Sequence, residues 1–190
     1  MRRMFWVRHG PTHVRAMVGW GDPPADLSDD VQLERLHQHL PDSAKVVSSD
    51  LQRARATADA IQNGRMRLPH DPDLREINFG DWDMQVFDDI ADQERLRAFW
   101  DTPGDVRAPN GETWNEVFRR VSNATDRLLD DHPGHDLILV AHFGAILTQV
   151  QRALQIPAYD TFANRIDNFS VTEIHVTQDG WQLASINHLP

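Results

Sequence analysis

The clearest signal along the chain is a recurring change of hydrophobic period. Short unbroken apolar runs, as in strands buried on both faces, alternate with stretches whose apolar positions fall three and four apart, as in one-sided helices. Residues 3–8 form the first such run, and Met4-Phe5-Trp6-Val7 is cut off by Arg8-His9-Gly10-Pro11. Gly and Pro at that point turn the strand into a loop, which continues to about residue 27. Ser28 stands as an N-cap before a helix to about Leu40, with Val31, Leu33, Leu36 and Leu40 at helical spacing. Lys45 to Ser49 reads as a second strand. A helix then runs from a cap at Asp50 to Gln62, where Asn63-Gly64 closes it.

Further on, residues 66–70 form a weak strand, 74–83 a loop, and 86–100 a third helix. Thr113-Trp114-Asn115-Glu116 fits a capping box opening a helix to about Asp131. Leu137 to Ala141 is a continuous apolar run of the buried parallel type, followed by a helix over 144–154. Strands near 170–176 and 181–187 are joined at Gln178-Asp179-Gly180 as a hairpin. This alternation predicts a three-layer α/β/α sandwich with a mostly parallel central sheet. No linker divides it, so residues 1–190 are expected to form a single domain.

Charge and composition narrow the function. A formal net charge of −10 argues against nucleic acid or an anionic membrane surface as partner. The absence of cysteine excludes disulfides, thiolate catalysis and thiolate metal sites. No run approaches the roughly 18 apolar residues of a membrane span, and the first strand starts too early to leave room for a leader. A cytoplasmic protein is the expectation. Six Trp and eight Phe leave a homodimer open.

The candidate chemistry sits where strands end. His9, beside Arg8, and His142 each follow a buried strand, and in a parallel sheet both emerge at the carboxyl edge, where such folds bind ligands. Arg53 lies in the first turn of the helix after the second strand, at the same edge. A cation is disfavoured there by the helix dipole, and an anionic ligand resolves the conflict. Glu76, among Ile77, Phe79 and Trp82, would be partly desolvated and hold its proton more tightly.

These segments, Arg8-His9-Gly10-Pro11-Thr12, Ser48-Ser49-Asp50-Leu51-Gln52-Arg53-Ala54, Leu74 to Trp82 and Val140-Ala141-His142-Phe143-Gly144, occur in the order found in the histidine phosphatase superfamily. The chain resembles that family's phosphoglycerate mutase-like branch 1 over nearly its whole length. The resemblance implies a phosphoglycerate mutase-like fold and hydrolysis of a small phosphomonoester through a phosphohistidine on His9, with no cofactor and no metal. It implies Glu76 as general acid, and Arg8, Arg53 and His142 as the clamp on the phosphate. Arg15 replaces a frequent phosphate-contacting Asn and is itself a candidate anion contact. Pro11, Val31, Asn110 and Phe143 are further departures, and Phe143 brings an aromatic ring directly after the second histidine.

Four rivals bear on this reading. A metal hydrolase finds no His-Glu-x-x-His among the ten histidines, and no Gly-x-Ser-x-Gly supports a serine hydrolase. A mutase would use the same residues but exclude water, for which the short connection from Glu76 to His142 offers little material. A non-catalytic phospholigand-binding module would have no need of both His9 and Glu76.

Overall fold

The computed structural model describes all residues from Met1 to Pro190. Alternation along the central strands explains its layering. In β1 (Arg2–Arg8), Met4 and Trp6 enter one apolar cluster while Phe5 and Val7 enter another. In β3 (Leu137–Ala141), Leu137, Leu139 and Ala141 face the first cluster, and Ile138 and Val140 the second. Successive side chains of a strand point to opposite faces, so an unbroken apolar run needs cover on both. α1 (Asp30–His39) and α2 (Gln52–Gln62) cover one face through Leu36, Ala54, Ala58 and Ile61. α4 (Trp114–Asp131) and α5 (Phe143–Leu154) cover the other through Val117, Val121, Ala145 and Ile146.

The sheet runs in the order β2-β3-β1-β4-β5, with β2 at Lys45–Ser48, β4 at Val171–Thr177 and β5 at Gly180–His188. β2, β3 and β1 are mutually parallel, and β4 and β5 add an antiparallel hairpin at one side. The sheet is therefore mixed, parallel in the half that presents the candidate residues. The register pairs Arg8 with Ala141 and Ser48 with Val140, which brings Arg8, His9, Ser49 and His142 to one edge.

Local boundaries depart from the sequence expectation for identifiable reasons. Ser28 does not cap α1, because its N–H is drawn to Asp26 Oδ1 at 2.9 Å, and the cap is Asp29, which accepts from Gln32 N–H at 3.0 Å. Asp50 does not cap α2, because it pairs with Arg75 at 2.5 Å. Asp22, from the distant loop, instead accepts the Gln52 N–H at 2.7 Å. The expected helix over 86–100 splits into a 3-10 turn at Phe87–Asp89 and α3 at Gln93–Asp101. Between them Ile90 is extended and buried, and Asp92 starts a fresh helix by accepting from Arg95 N–H. The weak strand at 66–70 is reduced to one parallel bridge, Arg67 on Val46. The capping box at Thr113 and Glu116 forms in full at the head of α4. A short α6 (Ala158–Thr161) leads towards the last two strands. No helix is long and apolar enough to cross a membrane.

Candidate active site

The end of β1 delivers His9 into a buried position, with 6% of its surface exposed. Its backbone N–H continues the ladder to Ala141 O at 3.1 Å, and its carbonyl accepts from Asn168 Nδ2 at 2.7 Å. Its Nδ1 lies 2.6 Å from Gly10 O. A carbonyl only accepts, so Nδ1 carries the proton and the lone pair sits on Nε2. Arg53 Nε donates to that Nε2 at 3.2 Å. Burial first, then the nearby Arg53 and Arg8 guanidiniums, push the His9 imidazole well below its ordinary pKa and keep it neutral.

Arg53 is 1% exposed, and its outer nitrogens donate to Gly21 O at 2.8 Å and Gly19 O at 2.7 Å. Those two carbonyls are aimed by Asp83, whose carboxylate accepts the Gly19 N–H at 2.8 Å and the Gly21 N–H at 2.5 Å. Thr57, one turn along α2, closes the arrangement. It accepts the Gly10 N–H at 3.0 Å and donates to Arg53 O at 2.7 Å. Arg8 donates to Ile166 O at 2.5 Å, and its guanidinium carbon lies 5.7 Å from the centre of the Phe143 ring.

Glu76 reaches the same place from the loop before α3. One of its carboxylate oxygens, Oε1, accepts N–H bonds from Ile77 and Gly144, both at 2.9 Å. The second residue of α5 must be glycine for this approach, because a Cβ there would stand 2.5 Å from Glu76 Oε1 and 2.7 Å from Ile77 Cγ1. Burial raises the Glu76 pKa; the Ile77 N–H, Arg53, Arg8 and the Gly144 N–H oppose it and do not cancel it. The residue holds its proton more tightly than a solvated glutamate.

His142 packs behind this group. Its ring centre is 5.0 Å from that of His9, and Ser49 Oγ is 2.6 Å from its Nε2. Ser49 Oγ also accepts from Leu51 N–H at 3.3 Å, and the other ring nitrogen of His142, Nδ1, is buried with no partner. His142 is fully buried and neutral, held well below its ordinary pKa by burial and then by Arg53, His9 and Arg8.

A cavity of about 610 Å³ opens above these groups. Arg8, His9, Arg53 and Glu76 reach its surface; His142 does not. Arg15 lines the cavity but lies at its exposed rim, apart from the buried cluster. Two supports of the site act across the loops. Asp83 is one. The other is the Arg120–Glu112 pair at 2.8 Å, in which Arg120 also donates to the carbonyls of Asp73, Arg75 and Glu76 and fixes the loop that carries Glu76. Both act through backbone groups far away in sequence. The only local hint was the acidic and basic residues beside the Glu76 loop. No cluster of three or more His, Asp or Glu side chains is arranged to hold a metal ion.

Comparison with known proteins agrees with this geometry. Residues 4–189 match the family model of the histidine phosphatase superfamily (branch 1). The chain is 31% identical to "Probable phosphoglycerate mutase GpmB" of Cronobacter sakazakii, over 97% of this chain and 89% of that protein. It is 30% identical to the adenosylcobalamin/alpha-ribazole phosphatase of Salmonella typhimurium, over 97% of this chain and 96% of that protein. The solved structure of Bacillus stearothermophilus YhfR superposes with a TM-score of 0.91 at 26% identity, covering 100% of this chain and 98% of that one. The chain belongs to the histidine phosphatase superfamily, branch 1.

Proposed function

We propose that His9 Nε2 attacks the phosphorus of a small-molecule phosphomonoester and carries the phosphoryl group as a phosphohistidine. The observation that carries this reading is the fixed tautomer. The 2.6 Å contact from Nδ1 to Gly10 O places the lone pair on Nε2, in a ring kept neutral by burial and by two guanidiniums. In the first half-reaction the Nε2–P bond forms and the bond from phosphorus to the ester oxygen breaks. Glu76 gives its proton to the departing oxygen, which would otherwise leave as a poor alkoxide. In the second, the Glu76 carboxylate takes a proton from water, the new oxygen–phosphorus bond forms, and Nε2 is released.

Arg8 and Arg53 supply the fixed positive charge that offsets the phosphoryl oxygens, with no reorganisation at the moment of transfer. His142 stands behind this clamp, its ring centre 5.0 Å from that of His9. The substrate phosphate takes over the Arg53 N–H that Nε2 accepts in the free site, freeing the lone pair for attack. No metal enters this scheme, because the guanidiniums and Glu76 carry the charge and the proton. Hydrolysis rather than transfer to a second acceptor fits a cavity whose rim, at Arg15, is open to solvent. Arg15, exposed in the cavity lining, would meet the outer part of the substrate.

Phosphate release from an alkyl monophosphate tests the scheme. His9→Ala is expected to lower kcat/KM by about 10⁴-fold or more, while a chelator leaves the wild-type rate unchanged. Retained turnover in His9→Ala, or activity abolished by chelator and restored by a divalent metal, overturns it.

A further inference from the structure

Beyond the phosphate cradle the cavity is unevenly furnished. Phe79, Trp100 and Phe143, from three separate parts of the chain, contribute rings to its lining, and Val14, Met17 and Val18 add aliphatic surface from the loop after His9. Two polar side chains of this region are partly committed elsewhere, whereas the Thr12 hydroxyl keeps its proton free. Asn168 donates to His9 O at 2.7 Å, and His13 pairs with Asp26 at 2.7 Å. Glu76 is the one carboxylate in the lining, and the one arginine outside the cradle is Arg15, exposed at the rim. A polyhydroxylated or carboxylated leaving group would thus find Thr12 and Arg15 on the rim, and would elsewhere exchange water for apolar surface.

Two of these rings, Trp100 and Phe79, are also held in place before any ligand arrives. Trp100 lies 5.1 Å from Phe99 in edge contact, 5.4 Å from Phe162 and 5.9 Å from Phe79, centre to centre. A fixed aromatic surface loses little freedom on binding, and a cavity of this volume exceeds what a phosphoryl group fills.

Resting on the hydrolytic reading above, we infer that the preferred substrate is the monophosphate of an alcohol carrying a flat apolar group, an aryl or heteroaryl ring that packs on Trp100, Phe79 and Phe143. Trp100 is then a specificity-determining residue of the site.

The test compares esters of two primary alkyl alcohols, 3-phenylpropyl phosphate and glycerol 3-phosphate, so that no activated aryl leaving group biases the outcome. The wild type is expected to favour the phenylpropyl ester in kcat/KM by about tenfold or more. In Trp100→Ala that ratio falls by about tenfold, and in Trp100→Phe, which keeps a ring in the cluster, it falls less. A ratio at or below one overturns the inference, as does a ratio unchanged in both variants. If neither ester is hydrolysed, the phosphatase reading fails, and binding then decides the inference alone. Calorimetry expects 3-phenylpropylphosphonate to bind at least about tenfold tighter than methylphosphonate, and equal affinities overturn it. Should Trp100→Ala not fold, Trp100→Phe and Phe143→Leu carry the same comparison.

Discussion

His9 and Arg15 lie in one short stretch of chain, yet their surroundings are opposite. His9 is buried, with both ring nitrogens partnered and its carbonyl held by Asn168. Arg15 stands exposed at the rim. The same contrast divides the whole cavity. Its floor, made of Arg8, His9, Arg53 and Glu76, is anchored to strand ends, helix starts and backbone N–H groups, which leave each side chain little freedom. Its rim is a loop surface where Val14, Met17 and Val18 stand among Thr12, the exposed His13 and the solvated Arg15. A floor of this kind dictates the reaction, and the rim selects what is brought to it.

The largest effect that would break this division lies on the floor. Glu76→Gln preserves the shape and removes the proton. Hydrolysis of alkyl phosphates is expected to fall by about 10³-fold, and of 4-nitrophenyl phosphate far less, because that leaving group needs no proton. Equal losses on both esters, read from initial rates, would contradict an acid role for Glu76.

A smaller effect is expected where floor and loops meet. Asp83→Asn loses one of the two backbone N–H acceptors that aim the Gly19 and Gly21 carbonyls at Arg53. A slightly misplaced guanidinium should lower kcat/KM by about tenfold. The melting temperature is expected to change little. Wild-type kinetics in this variant would show that Arg53 is held without the loop.

The buried histidines add an effect on stability. His9 and His142 both have folded pKa values well below the ordinary imidazole value of about 6.5. Below that pH the unfolded chain binds two protons that the folded chain refuses, so stability is lost as pH falls from about 6.5 towards the folded values. The limiting slope is about 2.7 kcal/mol per pH unit for the pair. Glu76 acts in the opposite sense above the ordinary glutamate range, since its folded pKa is raised. Urea midpoints measured across this window should fall with acid, and His142→Asn should remove about half of the histidine contribution. A flat profile in the wild type would mean that the rings are not buried neutral.

The same contrast explains what the sequence made legible. The strand ends at Arg8-His9 and His142 were readable because an apolar run stopped by a polar residue and glycine has few other meanings. The capping box at Thr113 was readable because both partners lie within one turn. The burial of Glu76 could be anticipated from Ile77, Phe79 and Trp82, but not that the Gly144 N–H would receive its carboxylate. Caps from distant residues escaped notice: α2 takes Asp22, while Asp50 is drawn away to Arg75. Glu112 lies in a stretch, Pro109 to Thr113, that resembles the family's pattern, but its pairing with Arg120 and the reach of Asp83 to Gly19 and Gly21 act across loops whose meeting no local pattern encodes. Arg15 matched an anion-binding position in the family pattern, but its loop holds it at the rim.

The central claim is that His9 Nε2 becomes covalently phosphorylated, and a rapid acid-free quench during turnover of an alkyl phosphate, followed by peptide mass analysis, tests it directly. The expected result is a single phosphoryl group on the peptide containing His9, lost on acid treatment and absent from His9→Ala. A burst of product with no modified histidine, or the phosphoryl group on another residue, would contradict the account.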